Sequence, residues 1–373
     1  AQTVSLYRSE TTRATDTAES LFKRLGIDDP QAAAFLRRDA LTRQSVLGRA
    51  GRSVSAQASS TNALLRLNVR WSPEDDGHFK RLVLERSGQG FAARLEEDVL
   101  SASARLASGV IRSSLFAATD DARIPDAVAT QVAEIFSGDI DFHRALRKGD
   151  RFSLVYEALE ADGEPIRTGR VLSAEFVNNG KTYQAMWFQE PGQKGGYYTL
   201  DGQSLRRAYL ASPVAFSRIT SGFKMRFHPI LQKWRAHQGV DYAAPTGTPV
   251  RSVGDGVVEF AGLQNGFGNV VMVKHHNNQT TVYAHLSKIA AKAGQSVAQG
   301  QNIGAVGATG WATGPHLHFE LRVNGKYQDP LSVARQSETI PLSPAARPAF
   351  TALAALTRVQ LTATATMQLA SAQ

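Results

Sequence analysis

Gly314-Pro315-His316-Leu317-His318-Phe319-Glu320 is the stretch on which the reading of this chain turns. In a β-strand, alternate residues point to one face, so this spacing places His316 and His318 together and sends Leu317 and Phe319 into a core. Two imidazoles at close range suit a metal ligand beside an acid–base group. Taken alone, the pair fits two surface histidines equally well. The wider distribution of histidine argues otherwise. Seven of the nine (His228, His237, His275, His276, His285, His316 and His318) fall between residues 213 and 334, and only His78 and His143 lie outside that region.

Composition sets the frame. At 373 residues the chain exceeds one ordinary core, so two or three domains are expected. Apolar residues at 42% and charged residues at 20% describe a globular protein. Lys and Arg number 42 against 33 Asp and Glu, a net +9 that favours acidic partners without choosing among cell-wall polymer, nucleic acid and anionic membrane. With no cysteine, thiolate zinc sites are excluded, and a metal would need His, Asp or Glu. No apolar run approaches the roughly 20 residues of a membrane-spanning helix. The start at Ala1-Gln2, without Met, suits either a processed secretory product or a trimmed chain, and a removed segment could supply peripheral or anchored membrane association.

Taken in order, Ala18, Leu21, Phe22 and Leu25 have helical spacing, with Thr15 or Asp16 as N-cap and Gly26 as stop. A second helix follows Asp29-Pro30, and Leu64–Trp71 alternates as a strand. Residues 1–75 thus read as a small α+β N-terminal domain. Phe79–Arg86 with Gly90–Leu95 predicts a hairpin, Pro125–Phe136 an amphipathic helix, and four strands follow between residues 150 and 200, giving a mixed, mostly β middle domain over 76–212. From 213 to 334, glycine-rich turns and short strands predict an all-β domain. Residues 335–373, rich in Ala and Thr without steady periodicity, read as a flexible tail. The fold class expected is multidomain and mainly β.

Within the all-β domain, His237-Gln238-Gly239-Val240-Asp241 favours an extended backbone, which puts His237 and Asp241 on one face. With His318 they supply two imidazoles and a carboxylate. Three protein ligands and an open fourth position make a hydrolytic zinc site, although this donor set also admits iron or manganese. His316 and His285, the latter in Tyr283-Ala284-His285-Leu286, are the candidates to take a proton and stabilise an oxyanion. His228 reads as structural or cleft-rim, and His275 and His276 as solvated.

Arg226-Phe227-His228-Pro229-Ile230, His237 through Val250, Tyr283-Ala284-His285-Leu286 and Thr313 through Glu320 together resemble the lysostaphin/LytM family of zinc metallopeptidases, in the family's order and over roughly Ser221–Leu331. The resemblance implies His237, Asp241 and His318 as zinc ligands, His285 and His316 as the catalytic pair, and a cleft in which peptidoglycan cross-links are cut. Lys224 departs from the family pattern, which has Gly there. Gly109–Leu115, Gly138–Phe142, Lys148–Phe152 and Gly196–Gly202 further resemble the middle domain of Gram-negative, three-domain periplasmic members, and the N-terminal module resembles LysM-like domains.

Those members cut D-alanyl–diaminopimelate links as DD-endopeptidases, with carboxypeptidase activity and restraint by the N-terminal domain as further expectations. A periplasmic or envelope location and no nucleic-acid partner are implied. A non-catalytic LytM-like activator of a cell-wall amidase is the alternative. Such proteins lose metal ligands, and this chain keeps them. A purely structural metal would close its fourth position with protein, and only three ligands are evident.

Overall fold

A computed structural model describes residues 5–221, 225–227, 239–330, 333–334 and 341–371. The chain forms two compact units, residues 1–104 with 157–169, and residues 105–156 with 170–373.

In the first unit, β1 (Leu6–Thr11) pairs antiparallel with β2 (Ser53–Ala58), and α1 (Ala18–Leu25), α2 (Pro30–Arg38) and α3 (Ala40–Val46) run between them. Thr17 caps α1, one or two residues later than the sequence suggested. Its hydroxyl accepts from Ser20 N at 3.0 Å, and Ser20 Oγ accepts from Thr17 N at 2.9 Å. Asp16 instead pairs with Arg24. Gly26, left-handed at φ +62°, closes the helix as expected.

β3 (Leu64–Trp71), β4 (His78–Ser87) and β5 (Gly90–Val99) extend the sheet in the order β1-β2-β3-β4-β5. The boundary expected at residue 75 therefore cuts through a sheet. Ser72-Pro73-Glu74-Asp75-Asp76-Gly77 has the composition of a linker but connects two paired strands. Leu82 and Leu84 on β4 share one core with Leu67 and Val69 on β3, and that burial decides where the strand belongs.

Beyond β6 (Ser101–Val110) come α4 (Leu115–Asp121), α5 (Asp126–Ile135), β7 (Arg151–Ala161), β8 (Glu164–Asn178), β9 (Lys181–Phe188) and β10 (Gly196–Tyr198), with the strands ordered β10-β9-β8-β7-β6. Val128 and Val132 of α5, with Phe136 just past its end, pack on Phe152, Leu154 and Phe176. This is the mixed, mostly β arrangement read from sequence.

The tail departs from expectation. Arg347–Ser371 is a 25-residue helix, α6, in which Phe350, Ala354, Thr357, Leu361 and Thr364 are buried. Their spacing is helical, but two of the buried positions are threonine, so the stripe is disguised in composition. Phe350 packs edge-on to Phe188 and Tyr198, at 5.2 and 5.7 Å between ring centroids.

The third sheet has ten strands: β11 (Met225–Phe227), β12 (Val240–Ala243), β13 (Pro249–Arg251), β14 (Gly256–Gln264), β15 (Gly268–Lys274), β16 (Gln279–Ile289), β17 (Ser296–Val297), β18 (Asn302–Val306), β19 (His316–Val323) and β20 (Lys326–Gln328). Its main path runs β11-β12-β19-β16-β15-β14-β17. Val240, Tyr242, Tyr283, Leu317 and Phe319 face one core. The multidomain, mainly β fold class is borne out. No described helix is long and apolar enough to cross a membrane.

Candidate functional site

The site is built on three adjacent strands. β12 pairs with β19 so that Asp241 lies opposite His318 and Ala243 opposite His316, while Tyr242 faces Leu317. Opposed residues share a face, so Asp241, His316 and His318 stand on the side away from the core. β16 continues the pattern, with Ala284 opposite His318 and Tyr283 opposite Phe319. In that register His285 would come opposite Leu317 and point into the core. Instead its backbone is left-handed at φ +62°, an uncommon state for a non-glycine residue. Register shifts in the pairing of β16 with both β15 and β18 occur around it. The result turns the ring toward the other histidines: its centroid lies 4.8 Å from that of His316 and 5.9 Å from that of His318.

Hydrogen bonds define which nitrogens remain available. His285 Nδ1 lies 2.8 Å from the Thr309 carbonyl and His316 Nδ1 lies 2.8 Å from the Gly314 carbonyl. A carbonyl only accepts, so in each neutral ring the hydrogen sits on Nδ1 and Nε2 is the acceptor. Burial lowers the His285 pKa, partly opposed by the Thr309 bond, so the ring is neutral at pH 7. His316 Nε2 is 3.9 Å from Asp241 Oδ1.

His318 Nδ1 is 2.9 Å from Asp241 Oδ1, and its Nε2 is 2.9 Å from Glu320 Oε1. Burial disfavours charge on this ring, yet the bonds to Asp241 and Glu320 outweigh it and raise the pKa to about 9. The position thus favours positive charge, whether a proton or a metal cation. Phe267 stacks on the ring at 5.9 Å.

Gly239 is part of the same construction. A Cβ there would stand 2.4 Å from His318 Cε1 and 2.8 Å from Nε2, so only glycine lets the chain before β12 pass this close. The nitrogen–oxygen donor pair of His318 and Asp241 fits a divalent metal of the zinc type. Among the described residues no three His, Asp or Glu side chains are placed to hold one metal ion between them. His237, the remaining expected ligand, lies outside the described residues, as do His228 and Lys224.

Two residues of this site had no role in the sequence reading. Thr309 stands between Gly307 and Gly310, and a backbone carbonyl leaves no signature in residue type. Glu320 was visible at the end of the histidine motif, and strand alternation was the available signal. The expectation that His275 is solvated is corrected, because it is 7% exposed. Its Nδ1 lies 2.7 Å from the Asp255 carbonyl and its Nε2 2.7 Å from Thr281 Oγ1, so a strand-end histidine became part of a core hydrogen-bond chain. His276 is exposed, as expected.

Histidines and a carboxylate gathered on the outer face of an antiparallel sheet are the equipment of a hydrolytic site. The chain belongs to peptidase family M23, whose pattern matches residues 235–330, and residues 101–225 match the Csd3 second domain. Peptidoglycan DD-endopeptidase ShyC of Vibrio cholerae is 36% identical over 273 residues, covering 73% of this chain and 61% of that protein. DD-carboxypeptidase/endopeptidase Mpg of Neisseria meningitidis is 38% identical over 271 residues, 71% of this chain and 63% of that protein. Peptidoglycan DD-endopeptidase ShyA of Vibrio cholerae is 32% identical over 315 residues, 83% of this chain and 71% of that protein. The chain spans less than two thirds of the length of ShyC and Mpg.

Proposed function

We propose that this chain is a zinc-dependent peptidoglycan hydrolase of the cell envelope, cutting D-alanyl–diaminopimelate cross-links as a DD-endopeptidase. The observation that carries the reading is the convergence of His285, His316, His318 and Asp241 from three strands inside the region matched to peptidase family M23. The substrate class rests on the relatives, whose names specify peptidoglycan DD-endopeptidase activity.

In this reading His237, Asp241 and His318 hold the zinc. When bound, zinc supplies Lewis-acid polarisation of the scissile carbonyl. The protein's own part is proton handling. His285 and His316 each keep Nε2 as acceptor because Nδ1 is engaged by a carbonyl. Nε2 of one takes the proton of the attacking water, and the other ring, protonated at Nε2, donates to the oxygen on which charge develops. A neutral His285 at pH 7 suits the accepting role. Restraint of this activity by the N-terminal domain, carboxypeptidase activity and periplasmic residence belong to the same proposal.

Digestion of purified Gram-negative sacculi with separation of the released muropeptides is the test. Cross-linked dimers should fall and monomers rise, with the activity lost in His318→Ala and on chelation and restored by zinc. Digestion that persists in His318→Ala would overturn the ligand assignment.

A further inference from the structure

Glu320 is a carboxylate placed where burial argues against one. It is 6% exposed and lies on β19 opposite Val282 of β16, a fully buried apolar residue. A buried charge without compensation is costly, and an apolar side chain of similar size would serve the sheet as well or better. Both of its oxygens are engaged. Oε1 lies 2.9 Å from His318 Nε2, while Oε2 accepts from Arg322 Nε at 2.8 Å and from Arg322 Nη2 at 2.6 Å. Glu320, His318 and Arg322 alternate along β19, so the three side chains form one row on the face that carries the site.

The chemistry of this row selects a tautomer. A guanidinium against Oε2 keeps Glu320 ionised, and an ionised carboxylate can only accept. Asp241 Oδ1 is an acceptor as well, 2.9 Å from Nδ1, so both ring nitrogens face acceptors. When a cation takes the place of the Nδ1 hydrogen, the hydrogen that stays is the one Glu320 holds at Nε2, and Nδ1 presents its lone pair. We propose that Glu320 is a positioning residue for the metal: it holds His318 in the orientation and tautomer that bind a cation through Nδ1, with Arg322 as its counter-charge. This rests on the reading of His318 as a metal ligand. The partner carboxylate of a metal-bound histidine raises the basicity of the ring and restricts its rotation, and loss of such a partner costs roughly 10- to 100-fold in metal affinity.

The test is zinc affinity, measured by chelator competition on the full chain, for the unsubstituted protein, Glu320→Ala, Glu320→Gln and His318→Ala, alongside thermal unfolding of the zinc-free forms. Glu320→Ala should bind zinc about 10- to 100-fold more weakly. Glu320→Gln keeps an acceptor oxygen without the charge and should fall between. A ranking of affinity that follows acceptor strength while zinc-free stability stays level separates positioning from a structural role. Should Glu320→Ala fail to fold, the near-isosteric Glu320→Gln decides. Loss of zinc in His318→Ala with unchanged affinity in the folded Glu320 variants would overturn this inference alone. Unchanged affinity in His318→Ala would instead overturn the ligand reading and this inference with it.

Discussion

Gly239 lies directly against the imidazole of His318, with room for a hydrogen and not for a methyl group: a Cβ would fall 2.4 Å from Cε1. The glycine that precedes β12 is thus part of what seats a candidate ligand contributed by β19. Gly239→Ala should push the ring from its place. Misplacement by about 1 Å costs on the order of 10²-fold in rate, so sacculus digestion should fall at least that far. Zinc affinity should fall with it, and a variant with near-normal digestion would contradict the packing.

His285 combines an unfavourable backbone with a site position. Its φ of +62° suits glycine better than any other residue. Both His285→Ala and His285→Gly should lose roughly 10²- to 10⁴-fold in turnover, the usual contribution of a general acid–base group. The glycine variant should nonetheless be the more stable of the two by about 1 kcal/mol, because alanine retains the strain. Urea unfolding of the pair measures this. Equal stability would argue against a strained backbone at residue 285.

His316→Ala should also lose turnover by roughly 10²-fold or more while keeping zinc, since the ring is assigned to proton transfer rather than to ligation. Metal content of the purified variant and its rate on isolated cross-linked muropeptides check both halves. A rate near that of the parent would remove His316 from the mechanism.

Burial lowers the pKa of His275, whose two nitrogens are taken up by the Asp255 carbonyl and Thr281. In the unfolded chain this ring gains its proton near its ordinary pKa, while the folded protein resists until a lower pH. The unfolded state therefore binds more protons in between, and stability must fall with acid. The contribution is complete above about pH 6.5 and declines below it by at most about 1.4 kcal/mol per pH unit for this one group. Urea unfolding at pH 7.5 and 5.5 should show that loss, and His275→Gln should lack the part due to His275. An identical pH dependence in the variant would show that the ring titrates normally.

Removal of residues 1–75 would take β1, β2 and β3 away from β4 and β5. Leu82 and Leu84, wholly buried in the intact sheet, would then meet water, at a cost of roughly 1.5–3 kcal/mol each. A chain starting at residue 76 should aggregate, visible by size-exclusion chromatography, whereas one starting at residue 101 should not expose that hairpin. A monomeric, soluble 76–373 chain would show that β4 and β5 do not depend on the first three strands.

Phe350 anchors α6 on Phe188 and Tyr198. Phe350→Ala should destabilise the unit by about 3–5 kcal/mol if the helix stays docked, or less if it detaches and the site closes up. Thermal unfolding reads the loss, and added protease sensitivity after residue 341 distinguishes detachment. No change in either would contradict a packed helix.

Residue order alone dictates the alternation that sets His316 and His318 on one face of β19 and Leu317 and Phe319 on the other, because a strand has a two-residue period. It also determined the third domain's short strands and turns, since Asn-Gly and Gly-rich pairs punctuate the chain locally. What needed tertiary structure were contacts whose cause lies far along the chain. His285 reaches the site only through a left-handed backbone and irregular pairing with two neighbouring strands. β4 and β5 belong with β3 because of a shared core, although a linker-like turn intervenes. α6 packs through a stripe that includes Thr357 and Thr364, polar by type and buried by position. Residue identity encodes local preference, whereas burial and hydrogen bonding across strands depend on which distant segments the fold brings together.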